Sequence, residues 1–387
     1  MCERNAALLD NKRLRYYVSI FVGSLGLGMY VFFVPVFAQR FGATFLDLGY
    51  LGTAPSLTYA VAPIFVGYIA DRVNRSRLYA LSLLIIFATT ITLGLSRSVS
   101  DIVLIRLLGG LGLAFYWPVT EILVLDLVPR ERRVREMGLY SVSWGSAFLI
   151  GPLIGGVIIQ ALGFISLFVI SSVLIISAFL QAVFLVLPDN RKKEGPRIRV
   201  SGEFHVMRQL LPWYVMVACY GIVFSIITSI FPGYANSVGI SPVLIGGLFT
   251  AFGIARVSAY ATSERFLHFG ERKALMLVSI VIGAGCLVIA LHPTFSAFLP
   301  AIAILGGCFA IVFPLSISLI SRHFPDEQTG AAVGSYESVN GIGNAIGPVL
   351  AGVVATVSNV KWSFISALFF AILMMTIAAR GKTYSET

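Results

Sequence analysis

Long apolar runs separated by short polar breaks dominate this chain. Twelve runs approach or exceed the roughly 20 residues that a membrane-spanning helix needs. They cover residues 14–39, 46–70, 78–96, 102–128, 138–161, 165–187, 210–234, 243–262, 274–291, 295–320, 331–357 and 362–380. A membrane-spanning barrel would show shorter segments of alternating polarity, and the sequence has none. The pattern predicts an all-α polytopic membrane protein, since a helix satisfies its own backbone where water is excluded. The longest polar stretch, DNRKKEGPRIRVSGEFHVMRQ over 189–209, falls between the sixth and seventh runs. It predicts two six-helix bundles, 1–188 and 210–387, joined by a cytoplasmic linker over 189–209.

Composition agrees. Of 387 residues, 57% are hydrophobic and 12% charged, the latter about half the share usual in soluble domains. The net charge of +10 would by itself fit a nucleic-acid binder. The placement of Lys and Arg redirects that reading. Counted loop by loop, 23 fall on one side of the spans and three, Arg40, Arg97 and Lys361, on the other. That bias predicts a multi-pass protein of the cytoplasmic membrane with both termini cytoplasmic, and no nucleic-acid partner. The polar N-terminus MCERNAALLDNKRLR runs straight into the first span, so no cleavable signal peptide is expected. Cys219, Cys286 and Cys308 lie inside apolar runs, Cys2 stands alone, and none form a CxxC pair. They read as core residues. His205, His268, His292 and His323 are scattered, and no phosphate-binding loop is present. No enzyme, metal site or cofactor is expected, and energy must come from an ion or substrate gradient.

The halves repeat. Shifting 129–157 by 196 residues gives ten identities in 29 positions, among them Gly138/Gly334, Tyr140/Tyr336, Gly151/Gly347, Pro152/Pro348 and Gly156/Gly352. An even number of spans per half makes the repeats parallel, and transporters built this way bind substrate near the midplane, between the halves.

Three motifs then carry a resemblance. The loop after the second span reads GYIADRVNRSR, with Gly67, Asp71, Arg72, Arg75 and Arg77 in the pattern G-x-x-x-D-R-x-G-R-x-R and Asn74 at the second glycine. The fourth span carries Arg106, Gly110, Gly112 and Ala114 as R-x-x-x-G-x-G-x-A. The fifth carries Gly151, Pro152, Gly155 and Gly156 as G-P-x-x-G-G, and the eleventh repeats Gly347-Pro348. With twelve spans split six and six, the whole chain resembles the major facilitator superfamily, and the G-P-x-x-G-G run resembles its drug/proton antiporters. The resemblance implies a transporter working by alternating access, most simply proton-coupled export of small lipophilic or amphipathic compounds. Uptake or facilitated diffusion of a metabolite, or a non-transporting receptor or lipid-handling protein, remain as alternatives. It further implies that Asp71 meets the start of the eleventh span near Gly330 and that Asp126 pairs with Arg72 or Arg75, forming a cytoplasmic gate. Asn74 is expected to take a left-handed backbone in place of glycine.

Four ionisable residues sit well inside spans: Arg106, Glu121, Arg256 and Glu337. Each is expensive there, so each is a candidate for proton or charge coupling, with a structural ion pair as the plainer account. Arg256 and Glu337 are expected to pair. At about 100° per residue, Arg106, Gly110, Trp117 and Glu121 share one face of the fourth span. Aromatics crowd the spans that the resemblance places around a cavity. Tyr30, Phe33, Gly110, Tyr116, Trp117, Tyr220, Phe224 and Phe313 are the lining candidates, against packing as the simpler role. Few polar groups among them favour a lipophilic cargo over a sugar. Packing alone also accounts for the Gly-Pro motifs. The expected partners are a small-molecule substrate and the lipid bilayer, and a monomer holds the whole site.

Overall fold

The computed structural model describes residues 2–70, 73–126, 133–184, 204–261, 270–321 and 329–380. Thirteen α-helices are found among them, with a short 3-10 turn at Val31–Phe33 between the first two: α1 (Cys2–Tyr30), α2 (Val34–Gln39), α3 (Phe45–Ala70), α4 (Arg75–Leu93), α5 (Val99–Asp126), α6 (Arg133–Phe184), α7 (Phe204–Ser229), α8 (Phe231–Ser237), α9 (Pro242–Ala261), α10 (Glu271–Leu291), α11 (Phe295–Ser321), α12 (Thr329–Val357) and α13 (Val360–Arg380). No strand occurs among the described residues.

Ten of these segments are long and apolar enough to cross a membrane. The twelve expected runs are reconciled by two features. The first is α6, which has 52 residues. At 1.5 Å per residue a straight helix of that length would reach about 80 Å, against a hydrocarbon core of about 30 Å. It breaks instead at Gly163, with φ 83 and ψ 176, where only glycine is comfortable, so two spans meet there. The second is α3, whose 26 residues supply the remaining span.

Local chemistry starts these helices. Thr44 and Asp47 form a reciprocal cap: the Thr44 amide donates to Asp47 Oδ2 at 2.8 Å and the Asp47 amide donates to Thr44 Oγ1 at 3.3 Å. Ser98 and Asp101 repeat the arrangement before α5.

The chain forms two compact units. Unit 1 contains Met1–Gly42, Leu57–Lys193 and Ser241–Thr250. In it α1 packs along α6, and α4 packs on α5 and α6. Small residues set the spacing. A Cβ on Gly28 would lie 3.2 Å from the Ala147 carbonyl oxygen, and one on Gly151 would lie 2.9 Å from the Gly28 carbonyl carbon. Unit 2 contains Ala43–Ser56, Glu194–Ile240 and Ala251–Thr387. In it α7 packs on α12 and α13, and α10 on α11 and α13. Phe231, Tyr234, Phe298 and Phe364 form an aromatic cluster in its core. Cys219, Cys286 and Cys308 are buried free thiols. Of the expected linker over 189–209, residues 189–203 lie outside the described residues and 204–209 form the start of α7.

Candidate functional site

The loop GYIADRVNRSR is only partly described. Gly67 lies in α3, Asp71 and Arg72 lie outside the described residues, and α4 begins at Arg75. Asn74 departs from expectation. Its φ is −57 and ψ 122, so its backbone is not left-handed. It caps α4 instead, its side-chain oxygen accepting from the Ser76 amide at 2.9 Å and the Arg77 amide at 3.3 Å. Asparagine is among the best residues for that task. Arg75 is half-buried and Arg77 exposed. Asp126 ends α5, and the expected contacts of Asp71 and Asp126 fall outside what is described.

In α5, Arg106 is half-buried and lines a small cleft with Leu27, Tyr30, Ile86, Thr89 and Gly109. It is an electrostatic neighbour of Tyr30, whose hydroxyl accepts from Thr90 at 3.1 Å. Gly110 is buried. Trp117 packs edge-on against Trp144 and lies beside Phe148. Glu121 is exposed, with Tyr140 as an electrostatic neighbour. Phe33 and Tyr116, expected to line a cavity, are instead fully enclosed within unit 1. The Tyr116 hydroxyl is held by Ser24 at 2.9 Å, and its ring sits in a file of phenols with Tyr16 and Tyr79.

That file contains what the sequence reading missed. Glu136, in the first turn of α6, is 2% exposed and accepts a hydrogen bond from the Tyr17 hydroxyl. One turn on, Tyr140 shares a 3.0 Å hydrogen bond with Thr120 Oγ1, while the Thr120 carbonyl accepts from Tyr16. Glu136 sits in the basic run RERRVREMG, which reads as loop. The available signal was the four-residue spacing to Tyr140, which puts both on one helix face.

The Gly-Pro motifs pack in two directions. In α6, Gly155 presses on the Met29 carbonyl of α1, while Gly156 and Pro152 press on Pro242, Val243 and Gly246 of α9. In α12, Gly347 presses on Ile222 and Ser225 of α7, and Pro348 lies over Gly49 and Gly52 of α3. Thr53 completes that second contact by donating to the Ala345 carbonyl at 2.6 Å. A larger residue at either glycine would meet backbone, which cannot swing aside.

Unit 2 gathers the remaining candidates. Arg256 does not form the expected pair with Glu337. Its Nη2 donates to the Tyr260 hydroxyl at 3.3 Å, and its guanidinium lies 5.6 Å from the Phe224 ring centre and 5.8 Å from that of Tyr260. The two side chains face different neighbours on α9 and α12, which span positions alone do not reveal. Glu337 is half-buried, with Tyr220 and Tyr336 as electrostatic neighbours. Tyr220 is 4% exposed and packs on Phe224 and Phe309. Phe313 is half-buried and packs edge-on against Tyr336 at 5.1 Å.

The arrangement of two span-rich units with embedded charges matches known proteins along its length. The family model described as Major Facilitator Superfamily matches residues 16–255 and 213–386. "Multidrug resistance protein 2" of Bacillus subtilis (strain 168) is 25% identical over 373 residues, covering 92% of this chain and 91% of its own. "Quinolone resistance protein NorA" of Staphylococcus aureus (strain MRSA252) is 27% identical over 349 residues, covering 87% and 88%. The crystal structure of nucleoside transporter NupG superposes with a TM-score of 0.80 over 95% of this chain and 98% of that one, at 12% identity. The last likeness establishes the fold alone.

Proposed function

Because the chain belongs to the Major Facilitator Superfamily, a family of transporters rather than enzymes, we propose that it exports small lipophilic or amphipathic compounds in exchange for protons. Its relatives named for multidrug and quinolone resistance support that direction and cargo class. The observation that carries the coupling is a carboxylate on a membrane-spanning helix of each unit, each an electrostatic neighbour of phenols: Glu121 of Tyr140, and Glu337 of Tyr220 and Tyr336. A carboxylate retained at such a position can hold a proton in one state of the cycle and release it in another. Arg106 and Arg256 are the cationic groups of the same machinery. The protein takes no cofactor, with protons as the coupling ion. It works as a monomer in the cytoplasmic membrane, both termini inside, as the positive-inside count supports.

Asp71, Arg72, Arg75 and Arg77, with Gly67 and Asp126, act in this reading as the cytoplasmic gate. Trp117, Phe224 and Phe313, each half-buried, remain the better lining candidates, with Tyr30 and Tyr220 behind them.

Reconstituted liposomes test the proposal. A lipophilic cation and a neutral dye should accumulate against their gradients when the proton gradient opposes them, and stop when a protonophore is added. Glu121→Gln and Glu337→Gln should each slow that flux by about tenfold or more. Gradient-independent flux in the wild type, with both variants unchanged, would leave facilitated diffusion as the function.

A further inference from the structure

A second repeat runs through α3 and α9. Shifted by 197 residues, GYLGTA over 49–54 on α3 falls on GGLFTA over 246–251 on α9, with Gly49/Gly246, Leu51/Leu248, Thr53/Thr250 and Ala54/Ala251 identical. Both threonines make the same kind of bond. Thr250 Oγ1 donates to the Leu149 carbonyl of α6 at 2.9 Å, and Thr53 Oγ1 donates to the Ala345 carbonyl of α12 at 2.6 Å. The two acceptors are themselves 196 residues apart, and each stands three residues before a proline, Pro152 or Pro348. Helical hydroxyls commonly turn back on their own helix, as Ser56 does on the Gly52 carbonyl at 3.1 Å. Thr53 and Thr250 reach a different helix.

The prolines give those carbonyls a need. Proline brings no amide to its own helix, and its ring loosens the turn before it. A spanning helix tolerates this where hydroxyls of a neighbouring helix engage the loosened backbone. Glycine lets the backbones come close enough. A Cβ on Gly49 would lie 2.7 Å from the Pro348 carbonyl oxygen, and one on Gly352 would lie 2.8 Å from that of Phe45. In the matching contact, Cβ atoms on Gly246 and Gly156 would strike the carbonyls of Pro152 and Pro242. Both helices are also divided between the units. Residues 45–56 of α3 belong to unit 2 and the rest to unit 1, whereas residues 242–250 of α9 belong to unit 1 and the rest to unit 2. Each threonine thus fastens within one unit a segment whose continuation belongs to the other.

Alternating access rocks one half of such a transporter against the other, so a helix divided in this way must change what it packs against. We propose that Thr53 and Thr250 are a matched pair of conformational latches. Each hydroxyl holds the carbonyl before a proline in this state of the cycle and releases it in the other, and the two bonds favour the same state. Neither cargo nor proton enters, so the latches are tested apart from the export reading.

Double electron–electron resonance in nanodiscs tests this. Nitroxides on Ala43→Cys and Ser358→Cys, in a Cys2→Ser background, report the separation between the start of α3 and the end of α12. The wild type should show a short, latched distance and a longer, released one. Thr53→Val should raise the long-to-short ratio about threefold, the average worth of a hydrogen bond between membrane helices, and the double valine variant about tenfold. Thr53→Ser, which keeps the hydroxyl, should hold the wild-type ratio. Thr250→Val is the sharper arm. Its bond joins α9 to α6, so only a shared state can carry its effect to a label pair on α3 and α12. An unchanged ratio in Thr250→Val would overturn the proposal, as would a Thr53→Ser shift as large as that of Thr53→Val. A single short distance in every variant would do the same. Where a valine variant does not stay monodisperse, alanine at that position is read in its place, with the same outcomes.

Discussion

Glu136 shows how much a single side chain can escape a sequence reading. Its carboxylate is buried and accepts from Tyr17, yet it lies among arginines in a stretch that reads as loop. The helix simply starts earlier than the apolar run: α6 begins at Arg133, whereas the run begins at residue 138. Apolar runs mark where lipid begins, not where helical hydrogen bonding begins. Removing one donor from a buried carboxylate leaves part of it unsatisfied, so Tyr17→Phe should destabilise unit 1 by about 1–3 kcal/mol. A lowered thermal midpoint in detergent would register it, and Glu136→Gln, which keeps an acceptor for Tyr17, should lose less. Asn74 teaches the converse. Its identity was legible as a stand-in for glycine in the loop motif, but its task was not. Asn74→Ala should cost about 1 kcal/mol through the lost cap on α4, while Asn74→Gly, which glycine's backbone freedom would favour under a left-handed requirement, should gain nothing. Thermal unfolding of the two variants side by side separates the accounts.

At the scale of elements, the helices were readable because a run of about 20 apolar residues has few alternatives in lipid. Which glycine faces a neighbour was not readable. Gly145 and Gly156 are both matched by glycines in the repeat, yet a Cβ on Gly145 meets nothing within 4 Å, while one on Gly156 would strike the backbone of Pro242 and Val243. Identity across the repeat thus records ancestry as well as contact. Gly145→Ala should stabilise α6 by up to about 1 kcal/mol, since alanine fixes less backbone entropy on folding. Gly156→Leu should instead destabilise the protein by about 1–3 kcal/mol or prevent its accumulation, because backbone cannot yield to the added atoms. Opposite shifts in thermal midpoint check both. The Arg256–Glu337 pair failed for a related reason. Span numbers place two residues in one half, but the rotation of α9 and α12 about their axes decides whether they meet. Arg256 turned toward Phe224 and Tyr260.

At the scale of the whole molecule, fold class and family followed from span count, the six-and-six repeat and the loop motifs, all of which are properties of sequence. The chemistry that distinguishes the two units did not follow. Tyr140 and Tyr336 are the same residue in the same register, but one hydroxyl is bonded to Thr120 and the other is open. That difference depends on packing among helices that the repeat alone treats as equivalent. It leaves the phenol of unit 1 bonded and its counterpart in unit 2 open. The central claim is exchange: cargo leaves as protons enter. Its most direct measurement uses liposomes holding a pH-sensitive dye, with no gradient imposed at the start. On addition of a lipophilic cation, its movement into the lumen should carry protons out in fixed proportion, raising the lumenal pH, and Glu337→Gln should abolish the change. Cation uptake equal to that of the wild type, with lumenal pH unchanged beyond the leak of empty liposomes, would contradict proton exchange.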